Sequence, residues 1–126
     1  MLGKYIGNLG IINMSSSQII KGSLIAIIMK LLEENGRMYG YEMTKAVRDN
    51  SGGRMNITEA ALYPALHKLE AEGLLATETE KVDGRMRKYY SLTRKGKTET
   101  KKEVSAMQEA LEALKLLLDP KMTYHG

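Results

Sequence analysis

Residues 58–93, TEAALYPALHKLEAEGLLATETEKVDGRMRKYYSLT, constrain the fold more than any other stretch. Thr58 is a good N-cap and Glu59 sits at the positive end of the helix dipole, so a helix should run from there to about Glu72, with Gly73 ending it. Pro64 removes one backbone donor, which predicts a kink or an irregular first turn. Two β-prone runs follow, Leu74 to Lys81 and Met86 to Leu92, joined by Asp83-Gly84, a strong hairpin-turn dipeptide. The hairpin tip carries Lys81, Arg85, Arg87 and Lys88. A helix that fits the major groove beside a basic hairpin is the pattern of a winged helix-turn-helix, in which one compact unit reaches both bases and backbone.

At about 100° per residue, Leu62, Ala65, Leu66 and Leu69 share one side of that helix, while Ala60, Pro64, His67 and Ala71 occupy the other. Tyr63 and Lys68 flank the outer face. Small residues between a phenol, an imidazole and an ammonium group let a helix approach base edges closely. The helix alone fits an ordinary half-exposed amphipathic element equally well; the neighbouring wing tips the balance. At the wing, the cations suit phosphate contact better than base reading. The competing explanation is an edge hairpin kept soluble by charge. Strand alternation points Tyr90 and Leu92 to the core, and Arg87 and Tyr89 outward.

Charge follows the same division. The whole chain is only +4, but between Lys81 and Lys102 nine basic residues face Asp83 and Glu99 alone, a local excess of seven that leaves the remainder net acidic by three. The wing and the start of the helix after it are therefore the expected anchors, and the sparsely charged helix is the expected reader.

Elsewhere, Ile20, Leu24, Ile27, Ile28, Leu31 and Leu32 recur at helical spacing and Asn35-Gly36 supplies a stop. Ile19, Ile25 and Met29 widen this face, so the first helix should be covered on two sides, a second subunit being one candidate cover. Its apolar run is interrupted by Lys21 and Lys30 and is shorter than the roughly 20 residues of a bilayer span. Residues 39–50 form a second helix with Met43, Ala46 and Val47 inward. From Arg94 to Leu118 a long helix carries Val104, Met107, Leu111, Leu114 and Leu118 in an a/d seam, closed by Asp119-Pro120.

The fold expected is mainly α with a small β-hairpin. Residues 1–17 read as a poorly ordered leader, 18–93 as the winged helix-turn-helix, 94–119 as a dimerisation helix and 120–126 as a loose tail, with Met14 an alternative start. A seam on a lone chain would leave a long apolar stripe in water, so a homodimer is expected; folding back onto its own domain is the alternative.

Absence of cysteine removes disulfides, thiolate zinc sites and cysteine nucleophiles, and fits a reducing, cytoplasmic setting. His67 and His125 are the only histidines, no carboxylate pair or hydroxyl has a positioned base, and Gly3, Gly7 and Gly10 lack phosphate-loop context. No enzyme, metal or cofactor is indicated.

The motifs YGYE at 39–42, ALYPALHKLEAEGLL at 61–75, GRMRKYYSLT at 84–93 and Gly96 together resemble the PadR family of bacterial winged-helix transcriptional regulators over about residues 18–118. The resemblance implies a homodimeric, repressor-like protein of the smaller subgroup with one C-terminal helix. Its partners would be double-stranded DNA, a second copy of itself and a small hydrophobic or aromatic effector, in the bacterial cytoplasm at the nucleoid. It places Thr58, Tyr63, Pro64, His67 and Lys68, with Ala60, on the recognition helix, and Tyr39 and Tyr41 on the preceding helix. Met86 departs from the arginine often found there, which predicts weaker wing contacts. The dimer interface would use Ile20, Leu24, Val104, Met107, Leu111, Leu114 and Leu118. An effector cavity would be lined by Ile19, Met29, Met107, Ala110 and Leu114, although plain dimer core is the better reading of the same residues. A winged helix used only for protein contacts is the rival function, and the basic wing argues against it.

Overall fold

The computed structural model describes residues 14–119. Helix α1 spans Met14–Asn35. It begins four residues ahead of the expected domain start, so residues 14–17 continue the helix; serine is tolerated in a first turn, where backbone donors lack helical partners. The remainder of the expected leader and the tail from 120 lie outside the described residues. Gly36 at φ 84° ends α1, donating its N–H to the Leu32 carbonyl at 2.9 Å, while the Asn35 amide caps Leu31 at 2.8 Å.

Strand β1, Arg37–Tyr39, was not visible in the sequence. Three residues are too few to carry a period; this strand exists because the edge of a later one templates it. Helix α2, Gly40–Asn50, opens with the Tyr39 N–H donating to the Glu42 carboxylate at 3.1 Å, and buries Met43 and Val47. Helix α3, Glu59–Ala71, is capped as expected, the Thr58 hydroxyl accepting from the Ala61 N–H at 3.2 Å. It runs through Pro64 without a break and buries Leu62, Leu66 and Leu69. Gly73, at φ 77°, closes it.

Strands β2 (Leu75–Val82) and β3 (Arg85–Leu92) form the hairpin. Asp83 at φ 49° and Gly84 at φ 78° make the two-residue turn whose positive dihedrals match the twist of the flanking strands. The antiparallel sheet has the order β1-β3-β2, with Tyr39 opposite Tyr89, Glu78 opposite Tyr89 and Glu80 opposite Arg87.

Helix α4, Arg94–Leu118, starts at Thr93, whose hydroxyl accepts from the Gly96 N–H at 3.0 Å and donates to the Gly73 carbonyl at 2.7 Å. The helix lies so close to the end of α3 that a Cβ on Gly96 would sit 2.1 Å from the Leu74 carbonyl oxygen. One turn on, Thr100 is fully buried, its hydroxyl bonded to the Gly96 carbonyl at 2.8 Å. The first half of α4 packs on α1, so part of the second cover over α1 comes from its own chain. Past Met107 every residue of α4 is exposed.

The core gathers Leu24, Ile28, Met29 and Leu32 of α1 with Met43, Leu62, Leu66, Leu75, Tyr90 and Leu92. Leu24 is 5% exposed and Met29 wholly enclosed, so within a single chain both belong to the core and not to the surface. The apolar face of α1 is wide enough that part of it turns into the sheet and α3.

Candidate nucleic-acid interface

On α3 the exposed surface comprises Glu59, Ala60, Ala61, Pro64, His67, Lys68 and Ala71, which includes most of the expected reading face. Pro64 has no N–H, so the Ala60 carbonyl lacks its usual helical donor on this side. Lys68 is only loosely held, 4.0 Å from Glu72. Tyr63 departs from expectation. It is half-buried, with burial and the nearby Glu59 raising its pKa, and its hydroxyl lies where a side chain on Gly40 would be. A Cβ at Gly40 would come within 2.1 Å of the Tyr63 oxygen, so the glycine lets α2 and α3 approach and the phenol is packed between them.

Strand alternation divides the wing. Tyr90 and Leu92 face the helices, so Lys88 and Met86 share that face with Lys81, while Arg85, Arg87 and Tyr89 lie on the other. Lys88 pairs with Glu70 of α3 at 3.6 Å, which ties the wing to the helix and compensates one of the expected anchors. Lys81 and Arg85 are exposed and without an ion pair among the described residues. Met86 is 66% exposed at the same tip. The basic start of α4 is not continuous with this tip: β3 carries the chain seven residues away from Arg85 before Leu92, roughly 23 Å at strand rise.

On the outer sheet face the side chains form a ladder. Arg87 stacks on the Tyr39 ring, 4.1 Å from its centroid, and Tyr39 meets Tyr89 edge-on at 5.5 Å. Arg37 lies over Tyr89 at 4.0 Å and reaches Glu80 at 2.7 Å and Glu78 beside it. A hydrogen bond to Tyr89 raises the Arg87 pKa, and Arg37 holds the Glu80 carboxyl below its usual value. Tyr41 stacks against Tyr39 at 6.5 Å and stays 51% exposed. Tyr39, Tyr41 and Arg87 are legible as candidates in the sequence, whereas Arg37 is not, because its glutamate partner Glu78 lies 41 residues away in the chain. Gly40, between two tyrosines, was the local signal for a close helix approach.

Because β1 pairs with β3 only from Tyr89 to Ser91, the edge of β3 from Arg85 to Lys88 is open on that side. There a cleft of about 440 Å³ is bounded by Tyr39, Gly40, Tyr63, His67 and Arg85 through Lys88, bringing the exposed helix and the wing to one surface. Thr58 stands outside it, occupied as the α3 cap.

A second surface is apolar. Leu111, Leu114 and Leu118 of the seam are 54%, 50% and 77% exposed, whereas Val104 and Met107 are half-buried. A groove of about 300 Å³ between α1, α2 and α4 is lined by Ala26, Ile27, Leu31, Val47, Met55, Val104 and Met107. Of the residues expected around an effector, only Met107 is there. Ile19 is 59% exposed, and Ala110 and Leu114 are also on the surface, apart from the enclosed Met29. Ile20 carries a side chain outside the described ones. Among the described residues no cluster of three metal-ligating side chains occurs, and no helix is long and apolar enough to cross a membrane.

A three-stranded sheet whose hairpin forms a basic wing, braced against a helix with a sparsely charged, exposed outer face, defines a winged helix-turn-helix protein of the DNA-binding class. More particularly, the chain belongs to the PadR-like family of transcriptional regulators, whose family model matches residues 28–102. Members of that family are transcriptional regulators, not enzymes. An uncharacterised protein of Lysinibacillus sphaericus is 34% identical over 107 residues, 84% of this chain and 97% of its own length. A transcriptional regulator from Clostridium thermocellum superposes with a TM-score of 0.73 at 27% identity, over 81% of this chain and 99% of its own. A PadR family regulator from Eggerthella lenta gives 0.69 at 27% identity, over 82% and 88%.

Proposed function

We propose that this DNA-binding regulator acts as a homodimeric, sequence-specific repressor on a roughly palindromic operator. The observation that carries the reading is the exposed face of α3, small and sparsely charged around His67, set against a wing whose Lys81 and Arg85 are exposed and without an ion pair among the described residues. In this reading residues 18–93 bind DNA, α3 lies in the major groove and reads through Ala60, Pro64, His67 and Lys68, and the wing follows the backbone in the cytoplasm, at the nucleoid. Residues 94–119 carry the dimer contact, supported by the leucines left in water along α4. Two-fold symmetry then sets two readers about one DNA turn apart, roughly 34 Å. The groove between α1, α2 and α4 has the size and lining for a small apolar or aromatic effector, and its placement against α4 would couple occupancy to the spacing of the readers.

Selection from a random duplex library with purified protein tests operator, symmetry and preference together. The expected result is an inverted repeat, with affinity falling steeply as salt rises, at a log-log slope near nine-tenths of the number of phosphates contacted. Binding without such a slope would falsify the DNA reading and leave a protein-interaction module.

A further inference from the structure

The ladder on the outer sheet face poses a problem of charge. Glu80 stands directly opposite Arg87 across β2 and β3, the position from which a carboxylate ordinarily pairs with a cross-strand arginine. It does not do so here. Its carboxylate is taken at 2.7 Å by Arg37, which comes from β1 on the far side of the central strand and crosses Tyr89 to reach it. Glu78, opposite Tyr89, is held by the same guanidinium. Arg87, freed from both carboxylates, lies instead on the face of Tyr39, 4.1 Å from the ring centroid. Stacking occupies the π-face of a guanidinium and leaves Arg87 its in-plane N–H donors beyond the one bonded to Tyr89, whereas a carboxylate fork would consume two more and cancel the charge.

We propose that Arg37 is a positioning residue for DNA binding: by holding Glu78 and Glu80, it keeps Arg87 on Tyr39, charged and with free donors, at the open edge of the wing where a phosphodiester can take them. The proposal rests on the DNA reading above. Arg37 itself touches no DNA. Its loss acts through Arg87, because released Glu80 then closes on the arginine opposite and removes it from the interface.

The test is a mutant cycle read by salt titration, using a fluorescein-labelled mixed-sequence duplex so that backbone contact alone is measured. Arg37→Ala and Arg87→Ala are each expected to weaken binding roughly fivefold to tenfold near 0.1 M salt and to lower the log-log slope by about one, the signature of one lost phosphate contact. The double variant is expected to be no weaker than Arg87→Ala. Adding Glu78→Gln and Glu80→Gln to Arg37→Ala should restore the slope, and should raise affinity more than the same pair does in the wild-type background. A double variant that loses two units of slope makes Arg37 a phosphate contact of its own and overturns the proposal, as does an equal effect of the glutamine pair in both backgrounds. Failure of the DNA reading is separable, since the wild type would then show no salt-dependent binding. The ladder is still read without DNA, by the upfield ring-current shift of the Arg87 side-chain protons in NMR. That shift should vanish in Arg37→Ala and return with the two glutamines; a shift indifferent to Arg37 overturns the proposal.

Discussion

Two glycines show how single residues decide close approaches. Alanine in place of an interior helical glycine ordinarily stabilises by about 1 kcal/mol. At Gly96 the sign should reverse, because the added Cβ would meet the Leu74 carbonyl oxygen at 2.1 Å and a backbone atom cannot swing aside. Gly96→Ala is expected to lower stability by about 1 to 3 kcal/mol in urea unfolding. At Gly40 the obstacle is the end of the Tyr63 side chain. Gly40→Ala should therefore cost less, and Tyr63→Leu, which removes both the oxygen at 2.1 Å and the ring carbon at 2.7 Å, should make the glycine substitution less costly than it is in the wild type. A glycine substitution equally costly in both backgrounds would show that α2 and α3 meet through something other than this ring.

At the scale of elements, the recognition helix and the wing divide reading from anchoring. Replacing His67 with alanine should reduce discrimination between a selected and a scrambled site by roughly 1 to 3 kcal/mol while leaving the salt slope intact. Arg85→Ala should weaken all sequences alike and lower the slope by about one. Competition binding at several salt concentrations separates the two, and the opposite pattern would exchange the roles. Lys88→Ala is expected to do less than Arg85→Ala, because its charge is already shared with Glu70 at 3.6 Å. The elements themselves were largely legible. Thr58, Gly73 and Asp83-Gly84 are local signals, and each marks a boundary or turn within a residue or two of its sequence assignment. Strand β1 was not legible, since its only cause is the edge of β3 more than 45 residues later.

At the scale of the whole molecule, α4 works in two halves. From Gly96 to Met107 it is packed on its own domain, and from Leu111 onward it projects leucines into water. A/d spacing alone could not tell these halves apart, because the period is the same for a helix that covers its own core and one that waits for a partner. The expected dimer should appear as twice the chain mass in light scattering at micromolar concentration. Leu111→Asp with Leu114→Asp should return it to a monomer that keeps its fold by circular dichroism. A strict monomer in the wild type would leave these leucines to some other cover.

The sequence by itself determined the helix caps, the hairpin turn, the inward side of β3 and the concentration of charge near the wing, because each depends on neighbours a few residues apart. Only the tertiary structure decided that Met29 and Leu24 belong to the core, that Tyr63 packs on Gly40, and that Arg37 takes the carboxylates nearest Arg87. Those outcomes depend on which surfaces the fold presses together, and the partners are separated by tens of residues with no local pattern to announce them.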